Sequence, residues 1–143
     1  MQRRYLSLLG LPIAAGLITS CAGTPSDAYV IDNDPGSVEH VDGSDIGRVT
    51  LTRGAADRLQ IETTPVTRAG QHLAVPDEAV FVDPDGVWWV YVNPESGVYV
   101  RHEIGIDRHL QGQVLLKSGP KAGTKVVTVG VPELYGIEAE VGH

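Results

Sequence analysis

Few side chains in this sequence have the type and spacing needed for chemistry, and most of those are accounted for by simpler roles. The one thiol is Cys21, which sits where an apolar segment from Leu6 to Ile18 gives way to small residues. With no second cysteine it has no disulfide partner in the chain. His40, His72, His102, His109 and His143 could ligate zinc or copper, but none are paired at the three- or four-residue spacing that sets two imidazoles side by side on a helix. No serine has glycine at both flanking second positions, so the nucleophile elbow of serine hydrolases is missing. Gly119-Pro120-Lys121-Ala122-Gly123-Thr124-Lys125 imitates a phosphate loop, with its glycines one residue too close and Thr and Lys reversed. A strand pattern follows, where a helix N-terminus would be needed to face the phosphate. Asp32-Asn33-Asp34-Pro35-Gly36 opens like a calcium loop, then lacks the third ligand before the glycine and the later glutamate. Asp83 and Asp85 belong to a turn. The expectation is a non-enzymatic protein with no catalytic residue, no metal and no cofactor.

Cys21 has a better explanation than catalysis. Arg3 and Arg4 make a basic start, the apolar run follows, and Ile18-Thr19-Ser20-Cys21-Ala22-Gly23 is a small-residue junction. That order describes a secretory signal, too short for a comfortable membrane span. Ile18-Thr19-Ser20-Cys21 resembles the lipobox of bacterial lipoproteins, in which the peptidase cuts before the cysteine and the thiol carries a diacylglyceryl group. The resemblance implies a signal peptide over residues 1–20, lipidation of Cys21 and a membrane-anchored, extracytoplasmic place in a bacterial cell envelope. Arg3-Arg4 also raises a twin-arginine signal, which the following residues fit poorly.

Charge narrows the partners. Loss of residues 1–20 removes two basic residues and no acidic one, taking the formal charge from −7 to −9. Such a chain repels phosphate backbones and has no basic run to make a local exception, so nucleic acid is excluded. Anionic lipid is disfavoured too, which leaves attachment to the bilayer to acylated Cys21. Lipid burial contributes about 0.8 kcal/mol per methylene, and two or more chains hold a protein stably.

The elements that would present any functional surface come later in the chain. Residues 21–45 are polar and acidic, rich in Gly, Pro, Ser and Asp, and read as a lipidated flexible tether. Its roughly 24 residues would hold the domain about 25–30 Å from the lipid. From Ile46 the pattern changes, and residues 46–143 read as a single β domain. Arg48 to Leu51 is a strand, Thr52 caps a short helix through Leu59, and Ile61 to Thr67 is extended. Leu73 to Val75 is stopped by Pro76, and Ala79 to Val82 and Val87 to Val92 flank the hairpin turn Asp83-Pro84-Asp85-Gly86. Asn93 to Gly97 turns into Val98 to Ile106, a polar turn spans Asp107 to Gly112, and Val114 to Leu116 and Val126 to Val129 are the last strands. Short strands between Gly/Pro/Asp turns, with one short helix, make the expected class all-β: a small barrel, roll or sandwich of about 6–8 strands.

Aromatic residues supply the remaining candidate surface. Val87 to Val92 is apolar on both faces, so it is either central and covered twice or meets a partner. Burial is the default. In Val98 to Ile104, Val98, Val100, His102 and Ile104 share one face and Tyr99, Arg101 and Glu103 the other, with Arg101 and Glu103 read as solvated. If a binding patch exists, Trp88 and Tyr99 beside Arg101 are its candidate partner-binding residues.

From Val49 to Tyr135 the chain resembles periplasmic adaptor subunits (membrane fusion proteins) of RND-type efflux systems. Leu59-Gln60-Ile61-Glu62-Thr63 looks like the core of the segment that opens the folded part of such adaptors. Val75-Pro76-Asp77-Glu78-Ala79-Val80 is similar to their Val-Pro-x-x-Ala-hydrophobic motif, and Gly86 to Val92 to their Gly-x-x-x-Val-Tyr-Val strand. Gly119 to Gly130 resembles their closing Gly-Leu-x-x-Gly-x-x-Val-Val-x-x-Gly run, with Pro120 in place of leucine. Full adaptors insert a β-barrel, a lipoyl-like domain and a long helical hairpin before Val-Pro, whereas only Thr67 to Ala74 stands there in this sequence. The resemblance implies the membrane-proximal domain, which in adaptors is built from both chain ends and packs on the transporter. It implies an accessory protein docking on an integral membrane transporter, RND-type, in transmembrane transport. The competing expectations are a ligand- or metal-binding lipoprotein and a structural envelope lipoprotein.

Overall fold

Turn chemistry sets the layout. A computed structural model describes residues 35–41 and 43–141, so Cys21, the signal segment and most of the tether lie outside the described residues. The strands are β1 (Gly36–His40), β2 (Gly47–Leu51), β3 (Glu62–Pro65), β4 (Thr67–Ala69), β5 (His72–Pro76), β6 (Phe81–Val82), β7 (Trp88–Glu95), β8 (Val98–Glu103), β9 (Gly105–Leu110), β10 (Gln113–Ser118) and β11 (Lys125–Val129). Helix α1 (Arg53–Arg58) follows β2, a 3₁₀ turn (Asp77–Ala79) follows β5, and helix α2 (Val131–Val141) follows β11. The Thr52 side chain accepts the Ala55 N–H, 3.2 Å, and caps α1 as its position predicts. Asp83-Pro84-Asp85-Gly86 closes the β6–β7 hairpin, with the Gly86 N–H donating to the Asp83 carbonyl at 3.0 Å.

The expected all-β class holds, but the sheets are open. One has seven strands in the order β1-β2-β8-β7-β11-β3, with β6 also on β7, and the other runs β4-β5-β10-β9. There is no closed barrel. Among the described residues eleven strands replace the expected 6–8, chiefly because single extended stretches divide between sheets. The stretch read as Ile61 to Thr67 passes from β3 to β4 at Val66, which is 2% exposed. The stretch read as Val98 to Ile106 passes from β8 to β9 at Ile104, whose N–H donates to the Trp88 carbonyl. β9 also runs on to Leu110, through most of the segment read as a polar turn. Strands that bend from one sheet to the next make the corners of two-layer β folds.

Two other expectations are corrected. Strand β1 pairs antiparallel with β2 from Gly36↔Leu51 to His40↔Gly47, so residues 36–40 belong to the folded unit and not to a tether ending at 45. An edge strand needs only one ladder and one apolar contact, and Val38 supplies the contact against the core. The chain also carries a second helix, α2, beyond the one expected.

The seven-stranded sheet is covered on both faces. Val66, Val75, Val90, Ile104, Val114, Leu116 and Val126 form one core, shared between the two sheets. Val49, Leu51, Ala55, Tyr91, Tyr99, Val127, Val131 and Leu134 form the other, between the larger sheet and the helices. Successive residues of β7 serve opposite cores: Val90 and Tyr91 are both fully buried, which explains the strand's doubly apolar pattern. Each such side chain contributes about 1.5–3 kcal/mol by leaving water.

Candidate functional site

Two neighbouring strands place the charged centre of the domain. Tyr91 on β7 and Arg101 on β8 are register partners, so their side chains share the face that looks toward α2. From α2 comes Glu138, one turn after fully buried Leu134 and therefore on the same inward face. Its side chain is 6% exposed and that of Arg101 13%. Arg101 Nε donates to Glu138 Oε1 at 2.8 Å, and the Gly47 N–H donates to the same oxygen at 2.7 Å. The Tyr91 hydroxyl donates to Oε2 at 2.5 Å. A Cβ at position 47 would stand 2.7 Å from Glu138 Cγ, so the glycine is what lets the acid reach the β2 backbone.

The guanidinium is held from other sides as well. Arg101 Nη2 donates to the Asp45 carbonyl at 3.0 Å, and its carbon lies 4.8 Å from the centre of the Trp89 ring. The indole N–H of Trp89 donates to Asp83 Oδ2 at 2.8 Å. A chain of contacts thus runs from the β6–β7 turn through Trp89 and Arg101 to α2. Beside it opens a cleft of about 300 Å³, lined by His40, Asp45, Gly47, Arg101, Tyr135 and Glu138 among others.

Burial, then the hydrogen bond and charge of Glu138, push the Tyr91 phenol far above its ordinary range, so it stays a donor. Among the described residues no buried side-chain nitrogen or oxygen lacks a hydrogen-bond partner. A general acid or base needs a lone pair or proton aimed at a substrate. Here the donors and acceptors face one another, and what the cluster does is fasten α2 to β2, β7 and β8.

Asp83 gives a pH dependence. Burial alone would raise its carboxyl, but the Val87 N–H, the Trp89 indole, the Asp85 N–H and the Arg101 charge outweigh it and hold it below the usual carboxylate range. A carboxyl lowered in the folded state adds stability above its unfolded value, near pH 4, and that stability is lost as pH falls through the lower folded value. Stability of the wild type should therefore drop below about pH 4. Asp83→Asn should flatten that acid limb without abolishing it, because Arg108 lowers Asp107 in the same direction. Equilibrium denaturation between pH 2.5 and 7 checks this; parallel acid limbs in the two proteins would contradict it.

The predicted partner-binding residues do not assemble into one patch. Trp88 is 39% exposed, whereas Tyr99 is 5% exposed and belongs to the core beneath the helices. Arg101, read as solvated, is enclosed by Glu138, Trp89 and Asp45. Trp88 lies instead toward the smaller sheet, its ring centre 6.2 Å from that of His109. Sequence reasoning missed Glu138, Gly47 and Tyr91 as a unit; the i, i+4 spacing of Leu134 and Glu138 was the one signal available. Cys21 lies outside the described residues. No three His, Cys, Asp or Glu side chains converge as a metal site among the described residues.

No family model matches the chain, and no curated protein matches it.

Proposed function

We propose that this protein is a lipid-anchored, extracytoplasmic accessory subunit that docks on an integral membrane transporter of the RND type, as a reduced adaptor. The observation that carries the reading is where the fold starts. Strand β1 begins at Gly36, so only positions 22–35 separate it from Cys21. Fully stretched, at 3.3–3.6 Å per residue, that segment reaches about 50 Å. A domain so leashed works beside the bilayer that holds its lipid, within reach of the exposed parts of membrane proteins. The packing of elements far apart in the sequence supports the reading: β1 and β2 lie against α2.

The reading is tested in native membranes. Wild type should sediment with the membrane fraction, and Cys21→Ser should shift it to the soluble fraction by at least about tenfold, in line with the loss of two or more acyl chains. Chemical crosslinking of the wild type should recover an integral membrane transporter. Recovery of only lipid or soluble proteins would remove the docking role, and a Cys21→Ser protein that stays processed and membrane-bound would remove the anchor.

A further inference from the structure

We infer that the exposed pair Trp88 and Val82 is the docking surface, and that its occupant is a Lys- or Arg-bearing extracytoplasmic segment of the membrane partner. This rests on the docking role proposed above and names the site and the chemistry that would recognise it. Val82 and Trp88 are cross-strand partners on one face of the β6–β7 hairpin, 49% and 39% exposed. Both are large apolar side chains standing side by side at one end of the sheet, whereas exposed Val129 stands on β11. Exposed tryptophan with an adjacent aliphatic is the composition of an interface anchor.

Charge selects the occupant. Between Arg68 and Arg101 the sequence has no lysine or arginine, yet it carries Asp77, Glu78, Asp83, Asp85 and Glu95. Two of these are tied to the pair, one along the hairpin and one through His109. Asp85 is exposed at the tip of the same hairpin. Asp77, 47% exposed, contacts His109 at 3.3 Å, and His109 in turn meets the Trp88 ring. Arg108, next to His109 on β9, is engaged with Asp107 at 2.9 Å. An exposed indole with one carboxylate on its own hairpin and another beyond its histidine neighbour attracts a cationic side chain twice, by the ring quadrupole and by the charge. The same acids repel an anionic lipid surface, so the bilayer is the disfavoured occupant.

The test uses full-length lipidated protein in native membranes, with a photoreactive benzoylphenylalanine at Val82 or, for comparison, at Val129, another exposed valine (42%). Val82 should label an integral membrane protein at least about tenfold more strongly than Val129. Mass spectrometry of the adduct should place the bond in an extracytoplasmic segment containing Lys or Arg. Asp77→Lys combined with Asp85→Lys, both exposed positions, should cut the labelling at least about fivefold with thermal unfolding changed by no more than an exposed ion pair is worth, and added salt should do the same. Labelling of the same membrane protein from Val129 but not Val82 overturns the patch and leaves the docking role standing. Labelling of lipid alone from Val82, or insensitivity to charge reversal, overturns the cationic occupant. Labelling of no membrane protein from either site, with none recovered by general crosslinking, overturns the docking role itself.

Discussion

Replacing Glu138 by alanine is expected to lower stability by about 3–5 kcal/mol, the largest effect of any single polar substitution in the domain. The carboxylate takes hydrogen bonds from the Gly47 N–H, the Tyr91 hydroxyl and Arg101 at 2.7, 2.5 and 2.8 Å. Removing it strands a buried phenol, a backbone donor and a guanidinium with only 13% of its side chain exposed. The figure measures that stranding and not the net value of the ion pair, which desolvation largely offsets. For a unit of this size it corresponds to a fall in Tm of about 12–20 °C. Glu138→Gln separates charge from hydrogen bonding. Its carbonyl can still accept from Gly47 and Arg101, and the Tyr91 hydroxyl can rotate to accept from the amide. The glutamine variant should therefore lose only about 1–2 kcal/mol. Thermal and urea unfolding of the two variants gives the comparison. An alanine variant within about 1 kcal/mol of wild type would show that the cluster does not hold α2 in place.

The second large effect belongs to Gly97, in the turn between β7 and β8. Its φ is +78°, and a Cβ there would stand 2.6 Å from the Leu51 carbonyl oxygen. That obstacle is backbone, so no rotamer change relieves it. Its own carbonyl accepts the Leu51 N–H at 2.8 Å, and the contact holds β2 against the turn. Gly97→Ala combines a left-handed backbone penalty of about 1–2 kcal/mol with a displaced hydrogen bond of about 1 kcal/mol, for a total near 2–3 kcal/mol. Gly86→Ala isolates the first part, since φ is +84° there and nothing lies within 4 Å of the new methyl group. It should lose about 1–2 kcal/mol. Equal losses at the two positions in urea denaturation would mean that the approach of Gly97 to Leu51 contributes nothing.

Much of the fold was legible because turns are local. Asp83-Pro84-Asp85-Gly86 and the Thr52 cap need only their own neighbours, and both stand where the sequence puts them. The divisions at Val66 and Ile104 were not legible, because an extended stretch looks the same whether it stays in one sheet or crosses to another. Strand β1 hid in a polar segment, since an edge strand with Val38 as its apolar contact has almost no hydrophobic pattern. Helix α2 begins at Val131-Pro132 without a Ser, Thr, Asp or Asn cap, and Gly136 within it is a poor helix former. The candidate site was the least legible part. Arg101 looked solvated because its acid lies 37 residues away in the chain, and no local pattern announces a partner at that distance. Trp88, a candidate anchor only if a patch exists, is exposed, but Tyr99 and Arg101 belong to the opposite face of the sheet.

The bond between the Gly47 N–H and Glu138 spans 91 residues of sequence. As a ribosome delivers the chain, β2, β7 and β8 emerge with Gly47, Tyr91 and Arg101 lacking their shared acceptor, and Val49 and Tyr99 lacking the helix that covers them. Contacts of such long separation form late, after most of the loop entropy has been lost. Completion of the fold thus waits until α2 has been made, and until then the face of the larger sheet that carries Tyr91 and Arg101 has no charged partner to close it.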